Sequence, residues 1–415
     1  MKKNIIAIIS LLCVLVLILG KVYVDYFVDE KPLDYSHLLI ERRNISDEQN
    51  AYQIYREAYT KLSDKDELND LKDSRNLTKI KAFLSKNREL IELFDKGTAL
   101  SSLQTPDLKT IEDKATYFAE WRALSHLHSL RVALAIHEGN KTEVIELYRQ
   151  GNLFIKQISI QPEILITYFV ATSCRQIIFE AFSQSLSKET FTRDELGLLQ
   201  EVQEVDWKSN FIDAFKGDLS VMIQLIDNLP ESNIEKKSAI YLMNETRNLT
   251  IKNTEEIISQ VDTRVADLKF PTADKWFKEV ERKTWIPFKR NPVGIILSAM
   301  TLPASKNAFK RKDSAITINR IERLVIASLF YRLENGKLPG ALSDFVPKYL
   351  VEIPKDPFDG KEMRYDTSKQ VIYSIGENLV DDYGEIEAGK AFGVGDDIVF
   401  KFFTRSANGS SAKSR

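Results

Sequence analysis

Residues Thr317 to Gly376 read TINRIERLVIASLFYRLENGKLPGALSDFVPKYLVEIPKDPFDGKEMRYDTSKQVIYSIG, and this stretch decides the fold of the C-terminal part of the chain. Apolar residues recur at helical spacing over about 314–334, and Gly336 supplies the left-handed cap that ends such a helix. A short helix carrying Phe345 follows a proline-containing corner. The segment 354–360, PKDPFDG, combines two fixed φ angles with one permissive glycine, which predicts a rigid turn.

Strands follow the turn. Residues 364–365 and 371–374 are β-branched or aromatic in part and are separated by a polar turn, so they predict an antiparallel pair. Residues 398–403, IVFKFF, predict a last strand. The sequence therefore predicts a small α+β head over 306–405, and a disordered Ser/Ala/Gly/Lys tail over 406–415.

The order of these elements, with the Tyr373-Ser374-x-Gly376 motif after the second strand, resembles the globular head of the type II secretion major pseudopilins. This resemblance implies an extracytoplasmic location and does not imply a reaction. The chain lacks the short basic leader and the early glutamate of a pilin, so it resembles a protein that carries the head more than a filament subunit. As a whole, it resembles membrane-anchored proteins of the bacterial cell envelope.

The same resemblance implies a calcium site in the loop after the motif, because the corresponding pseudopilin loop holds calcium. Asp397 precedes Ile398 and matches the closing aspartate of the pseudopilin loop. Asp396 lies one residue closer to this closing position than the other late aspartate of the family does. Asn378 stands where the family has its early aspartate. Hard cations also take carboxylates and carbonyls from flexible acidic loops. The expected ligands are thus Asn378, Asp396 and Asp397, and a solvated acidic loop without metal is the alternative.

Length and composition limit the class of protein. The chain has 415 residues, which is long enough for more than one folded unit. Of these residues, 43% are hydrophobic and 28% are charged, as in globular proteins. Lys and Arg number 58 against 60 Asp and Glu. Without a basic block, no nucleic-acid partner is expected. The two cysteines, Cys13 and Cys174, form no CxxC pair, which excludes a cysteine-based zinc site.

An apolar run near the N-terminus predicts a membrane anchor. Residues 5–20 are apolar apart from Ser10 and carry no charge, and 5–24 are long enough to span a bilayer as a helix. Lys2 and Lys3 precede the run, and acidic residues follow it, so the N-terminus faces the cytoplasm. We expect an uncleaved single-pass anchor over 1–24 in the inner membrane, with the remainder in the periplasm. A cleaved signal peptide is the alternative and gives the same compartment.

The middle of the chain, 25–305, predicts an extracytoplasmic helical domain, either an irregular bundle or a solenoid-like array. Asn140 with Glu143, and Thr192 with Glu195, read as capping boxes that begin helices. The segment after Pro162 is apolar nearly all round and predicts a buried central helix. No strict repeat period is present, so no named repeat family is indicated.

Candidate reactive groups in the helical part have structural interpretations. His126 and His128 are two residues apart and point about 200° from each other on a helix, so they cannot bind one metal ion. Cys174 reads as a buried, inert thiol. Glu120 and the other glutamates on apolar helices would need a second carboxyl at a defined distance for hydrolysis. We expect no catalytic and no cofactor-binding residues.

These observations together predict a non-catalytic scaffold or partner-binding protein, attached to the membrane through its N-terminal helix and contacting protein partners. Two alternatives stay open. The first is an accessory component of a type II secretion or pilus-like machine, which the head suggests. The second is a hydrolase of envelope polymers in the helical domain, which a deep cleft with two carboxyls about 5 to 10 Å apart would favour.

Overall fold

The structure is a computed structural model that describes residues 15–24, 27–40, 45–72, 74, 76–106, 117–160, 164–202, 204–228, 242–281 and 290–403. Within these ranges the chain is mainly helical, and a small antiparallel sheet lies near its C-terminal end. The prediction of a mainly helical chain that ends in a short region with strands is therefore confirmed.

The described helices are α1 (15–24), α2 (Ala51–Thr60), α3 (Lys65–Leu71), α4 (Leu77–Lys86), α5 (Arg88–Thr98), α6 (Tyr117–Glu138), α7 (Lys141–Ser159), α8 (Leu165–Lys188), α9 (Arg193–Gln200), α10 (Trp207–Asn228), α11 (Met243–Ser259), α12 (Pro271–Glu281) and α13 (Pro292–Asn335). Short 3-10 turns lie at Ser36–Leu38, Asp47–Gln49, Val265–Asp267 and Leu342–Phe345.

Local capping determines where several helices begin. The Asn140 side chain accepts a hydrogen bond from the Glu143 amide at 3.3 Å and begins α7. At α9 the box is reciprocal, since the Thr192 hydroxyl accepts from the Glu195 amide at 3.2 Å and the Glu195 carboxylate accepts from the Thr192 amide at 2.7 Å. The predicted box at Thr192 thus forms, whereas Asn140 acts as an N-cap without the return bond, because its own backbone amide donates to the Ala135 carbonyl. Both caps satisfy amide groups that a helix start leaves without partners.

Helix α8 lies at the centre of an irregular bundle, as its apolar sequence predicts. It contacts α6, α7, α10 and α13 on different sides. The helices before it are joined by a cluster of buried aromatic rings, in which Phe94 and Phe154 have centroids 5.2 Å apart and Tyr55 and Phe154 have centroids 5.1 Å apart. Burying one such ring contributes roughly 1.5–3 kcal/mol, which explains why this cluster holds short helices in place.

Helix α13 is 44 residues long and crosses the predicted boundary between residues 305 and 306. Its first two turns are the apolar segment 294–300, Pro303 lies inside it, and Gly336 at φ 71° caps its end. One hydrophobic core contains buried residues of the helical part, such as Phe179, and of the strands, such as Phe400. The division into two separately folded units stays a prediction.

The sheet has the order β1-β2-β4-β3 and is antiparallel throughout, with β1 (Arg364–Asp366), β2 (Val371–Ser374), β3 (Phe392–Val394) and β4 (Ile398–Lys401). Strands β1, β2 and β4 form where the sequence predicts strands. Strand β3 is absent from the prediction, because it has three residues and a central glycine and lies within the acidic segment.

Tertiary contacts explain why β3 forms. Phe392 of β3 pairs with Phe400 of β4 in register. The Phe392 ring also packs edge-on against Phe179 of α8, with centroids 4.8 Å apart. An aromatic cross-strand pair on a buried face stabilises a strand that its own propensity does not favour.

The predicted rigid turn is present and is held by Asp356, which is fully buried. Its carboxylate accepts hydrogen bonds from the Ser374 hydroxyl at 2.8 Å and from the Ile375 amide at 3.0 Å, and it pairs with Arg364 at 2.9 Å. The turn is thereby fixed to the end of β2, next to the Tyr373-Ser374-x-Gly376 motif.

The predicted anchor lies partly outside the described residues, because 1–14 are not among them. In the part of the chain that the structure does describe, no helix has the length and apolar character that crossing a membrane requires. The ten described residues of α1 span about 15 Å. The transmembrane part of the predicted fold class therefore stays a prediction, as does the tail, which also lies outside the described residues.

Candidate functional site

A groove with a volume of about 560 Å³ lies beside the second half of α13. Helices α7, α9 and α13 form three of its sides, and the segment after the 3-10 turn at Leu342–Phe345 forms the fourth. Its lining comprises Tyr148, Arg193, Leu199, Gln200, Val202, Glu204, Glu322, Arg323, Ile326, Ala327, Phe330, Glu334, Lys348, Tyr349, Leu350 and Val351. Charged and apolar side chains occupy different parts of this lining.

The floor of the groove contains a buried ion pair. Arg175 of α8 donates to the Glu322 carboxylate at 2.5 Å, and its Nε donates to Asn319 at 3.3 Å. The second Glu322 oxygen accepts from the Tyr148 hydroxyl at 2.7 Å. Burial, and then the Glu322 charge, raises the pKa of Tyr148 well above its usual range, so Tyr148 stays protonated and donates. The network fixes α7, α8 and α13 relative to one another.

One wall carries a second carboxylate, Glu204, which pairs with Arg323 at 3.3 Å. Burial raises the pKa of Glu204, Arg323 opposes that shift, and the like charge of Glu322 adds to it. Glu204 and Glu322 are thus close enough to interact electrostatically, and each has its own guanidinium partner.

The far end of the groove carries a third carboxylate, Glu334, at the last turn of α13. It accepts from Lys348 and from the Tyr349 hydroxyl, and it also pairs with Arg193 of α9. The hydrogen bonds from Lys348 and then Tyr349 lower the pKa of Glu334 to about 2. Two cations and a phenol therefore converge on one carboxylate, which ties the end of α13 to the neighbouring segments.

Apolar side chains form the remaining surface. Ile326 and Phe330 line it from α13, and Val351 at the rim is 89% exposed, the largest exposed fraction among the large apolar side chains of the described residues. A smaller recess of about 220 Å³ adjoins the groove at Val202 and includes the exposed Leu153. A groove that combines apolar side chains with fixed polar groups is typical of surfaces that bind other molecules.

The charged groups of the groove form ion pairs within the protein. A general acid or base must be able to exchange its proton with a substrate. Each of the three groove carboxylates is instead engaged by a cation: Glu322 by Arg175, Glu204 by Arg323, and Glu334 by Lys348. Within the described apolar lining, Val351 is exposed and Phe330 is partly exposed, so another molecule can cover these two side chains.

The predicted calcium ligands lie in the loop between β2 and β3 and at the start of β4, away from the groove. Asp396 and Asp397 line a recess of about 390 Å³ together with other loop residues, Asp381, Asp382, Tyr383 and Glu385. Asp397 is buried, and its carboxylate accepts from the Gly384 amide at 2.8 Å and from the Asp382 amide at 3.4 Å. It therefore closes the loop through backbone amides.

Asn378, the third predicted ligand, forms hydrogen bonds within the same loop. Its side-chain oxygen accepts from the Val380 amide, and its amide donates to Asp382, both at 3.0 Å. Arg364 reaches Asp381 at 3.1 Å and supplies positive charge to the loop. Among the described residues, no three His, Cys, Asp or Glu side chains converge in a way that could hold a metal ion. Calcium binding stays a prediction.

The other candidate groups are structural. Nε2 of the buried His128 lies 2.9 Å from the Leu147 carbonyl, and burial lowers its pKa to about 3, which keeps it neutral. Burial raises the pKa of the Cys174 thiol to about 12, so it is unreactive. Glu120 pairs with Arg56 at 3.7 Å.

Sequence reasoning missed every residue of the groove floor. Tyr148 and Glu322 are 174 residues apart, and Arg175 and Glu322 are 147 apart. No local motif links them. The only available signal was the presence of an arginine and a glutamate on helices whose other positions are apolar, since such charges are rarely buried unless paired.

Comparison of this chain with protein-family models, with curated proteins and with solved structures finds no match. The resemblance of residues 317–376 to pseudopilin heads is thus a hypothesis based on the order of elements and on the motif alone.

Proposed function

We propose that this chain is a non-catalytic scaffold of the bacterial cell envelope, anchored to the inner membrane by its N-terminal helix and binding a protein partner in the groove beside α13. The observation that carries partner binding is the groove itself, in which the charged groups are paired within the protein while Val351 is exposed at the rim and Phe330 is partly exposed. Apolar side chains of this kind lose contact with water when a partner covers them.

Membrane attachment is supported by α1. Its described apolar residues are all exposed, and Lys21 is its only charged position. A helix that is apolar all round is stable where it is buried, either in a protein core or in a membrane. The sequence extends the same apolar character back to Ile5. The basic residues Lys2 and Lys3 before this run favour an orientation with the N-terminus in the cytoplasm and the rest of the protein in the periplasm.

A photo-reactive amino acid at Val351 tests the groove in living cells. The proposal expects a cross-linked product from Val351 and none from Ile166, which is exposed on α8. Gln200→Trp fills the groove from α9 without touching the core and should abolish the product. Asp194→Trp, on the same helix outside the groove, should leave it intact. Equal cross-linking in all variants would show that the groove is not the binding site.

The identity of the cross-linked protein separates the two non-catalytic readings. Components of a type II secretion or pilus-like machine would favour the accessory role that the head suggests. Any other envelope protein would favour a separate scaffold.

A hydrolase of envelope polymers has one observation in its favour, the raised pKa of Glu204 beside a second carboxylate, Glu322. A carboxyl with a raised pKa can act as a general acid when it is free to exchange its proton. Release of soluble fragments from purified cell-wall sacculi by the full chain, and its loss in Glu204→Gln, would establish this alternative and replace the scaffold proposal.

A further inference from the structure

Arg290, which precedes α13, connects the end of α1 to the rest of the protein, and we call this set of contacts around Arg290 the joint. Its guanidinium donates to the Val24 carbonyl at 3.2 Å and to the Val28 carbonyl at 2.9 Å. Its Nε donates to the Glu245 carboxylate of α11 at 2.6 Å. Carbonyls at the end of a helix lack partners within that helix, and a cation is favourable there. One side chain therefore joins the end of α1 to the start of two body helices.

Asp29 adds a second contact at the same place. Its two carboxylate oxygens accept from the amides of Asn244 and Glu245, at 2.8 and 2.9 Å. These amides belong to the first turn of α11, whose own N-cap, Leu242, provides no side-chain cap. Asp29 thus caps α11 from a distant part of the sequence. A carboxylate at a helix start is favourable for both hydrogen bonding and charge.

The chain then runs along α11. The buried Asn248 accepts from the Leu33 amide and donates to the Lys31 carbonyl, each at 2.9 Å. Further on, His37 contacts Glu255 at 3.0 Å. Contacts that move from 248 to 255 as the chain moves from 33 to 37 show that this segment follows α11 away from the joint.

Helices α11 and α13 also leave the joint in the same direction. Asn291, the N-cap of α13, donates to the Thr246 hydroxyl at 3.0 Å, and Asn253 donates to Ser298 at 2.5 Å. Residues 246 and 253 of α11 therefore lie beside 291 and 298 of α13, which is the register of a parallel pair. Any side chain at Gly294 would meet Thr246, so the two helices are closely packed at this end.

Exposed apolar side chains surround the joint. Tyr23 and Phe27 stack with centroids 5.7 Å apart and are 61% and 55% exposed. Ile296 and Met300 lie one turn apart on α13 and are also exposed. Aromatic side chains at the end of an apolar helix are typical of the headgroup region of a bilayer.

We propose that the lipid bilayer contacts the helical part of the protein as well as α1. In this arrangement the first turns of α11 and α13 lie on the membrane surface, with Tyr23 and Phe27 at headgroup level. The joint fixes this orientation. The inference rests on the membrane attachment proposed above, and it adds a defined membrane-facing surface. The bilayer is the occupant because this surface is continuous with α1.

The orientation has a geometric consequence for the groove. From Pro292 to Ile326 is 34 residues, or about 50 Å along a helix. Helix α13 therefore acts as a spacer between the membrane-facing end and the groove. A partner bound at Val351 would be held away from the bilayer, at a distance set by the length of α13.

Energy transfer to labelled lipid measures this arrangement. The full chain, with Cys13→Ser, is placed in phosphatidylcholine–phosphatidylglycerol vesicles that contain a rhodamine lipid. A donor dye is attached at Met300→Cys in one sample and at Val351→Cys in another, while the buried Cys174 stays unlabelled. We expect transfer to be several-fold more efficient from position 300 than from position 351.

The joint is tested by combining Asp29→Ala with Arg290→Ala, which should remove the difference in transfer efficiency between positions 300 and 351. Asp34→Ala is the matched control, because Asp34 only caps Ser36 at 2.9 Å, and it should keep the difference. Arg290→Gln alone, which retains the Asp29 cap, should reduce the difference in transfer efficiency. Circular dichroism verifies that each variant is folded. Equal transfer from both positions in the parent overturns the fixed orientation while membrane attachment stands. Failure of the parent to bind the vesicles overturns both.

Discussion

The Tyr148 hydroxyl donates to the Glu322 carboxylate at 2.7 Å, and this contact joins α7 to α13 at the floor of the groove. Glu322 is otherwise held by Arg175, so a single buried carboxylate links three helices. The walls of the groove depend on these helices, so the network is a structural requirement for the surface that we propose binds a partner.

Arg175→Met is expected to lower the free energy of unfolding by about 3–5 kcal/mol, because it leaves Glu322 buried without its cation. Arg149→Met is the control, since Arg149 forms an exposed pair with Glu146 at 3.4 Å, and such pairs contribute about 0–1 kcal/mol. Urea unfolding followed by circular dichroism measures both. Equal effects of the two substitutions would show that the Arg175 pair does not hold the helices together.

Two helical glycines give opposite predictions for substitution by alanine. At Gly151 a Cβ atom would lie 2.9 Å from Ile178 and 3.0 Å from His128, so Gly151→Ala should destabilise the protein by about 1–3 kcal/mol through overpacking. At Gly197 nothing lies within 4 Å, so Gly197→Ala should stabilise it by up to about 1 kcal/mol through helix propensity. Thermal melting compares them, and a stabilising Gly151→Ala would contradict the described packing of α7 against α6 and α8.

The raised pKa of Asp218 predicts that the stability of the protein depends on pH. It accepts from the Leu165 amide at 2.9 Å at the start of α8, and burial raises its pKa to about 6. Since the folded state holds this proton more tightly than the unfolded state, the contribution of Asp218 to stability is present below about pH 4 and is lost as the pH rises through about 6.

Asp218→Asn keeps the acceptor and removes the charge. Compared with the parent, it should therefore be more stable at pH 7.5 by on the order of 1–2 kcal/mol, after allowance for partial solvent exposure, and equal at pH 4. Unfolding curves at both pH values provide the measurement. A variant whose difference from the parent is the same at both values would refute the assignment.

The calcium prediction is tested at Asp397. Calcium that binds the folded loop would stabilise the protein by about 2.7 kcal/mol at a hundredfold excess over Kd, so the melting midpoint should be higher with calcium than with chelator. Asp397→Ala should lower the midpoint under both conditions, because it also releases the Gly384 and Asp382 amides. Identical midpoints of the parent with calcium and with chelator would show that backbone amides and Arg364 hold the loop without metal.

The sequence predicts those parts of the structure that depend on nearby residues. The caps at Asn140 and Thr192 begin helices because cap and amide lie three positions apart. The turn at Asp356 forms because its prolines fix φ and Gly360 permits a positive φ. Strand β3 was missed since its stability comes from Phe400 and Phe179, which are distant in sequence. The groove was missed for the same reason, as Tyr148, Arg175 and Glu322 meet only in the folded chain.

The proposed membrane anchor is tested most directly by washing bacterial membranes that contain the full chain with alkaline carbonate. We expect the parent to stay in the membrane pellet, with its body accessible to protease only from the periplasmic side. Combining Leu17→Lys with Ile18→Glu should release it, because each charge near the middle of a membrane helix costs about 2.5–3.5 kcal/mol. Leu39→Lys, at an exposed apolar residue outside α1, should not. A parent protein recovered in the soluble fraction would contradict the proposed membrane-anchored scaffold.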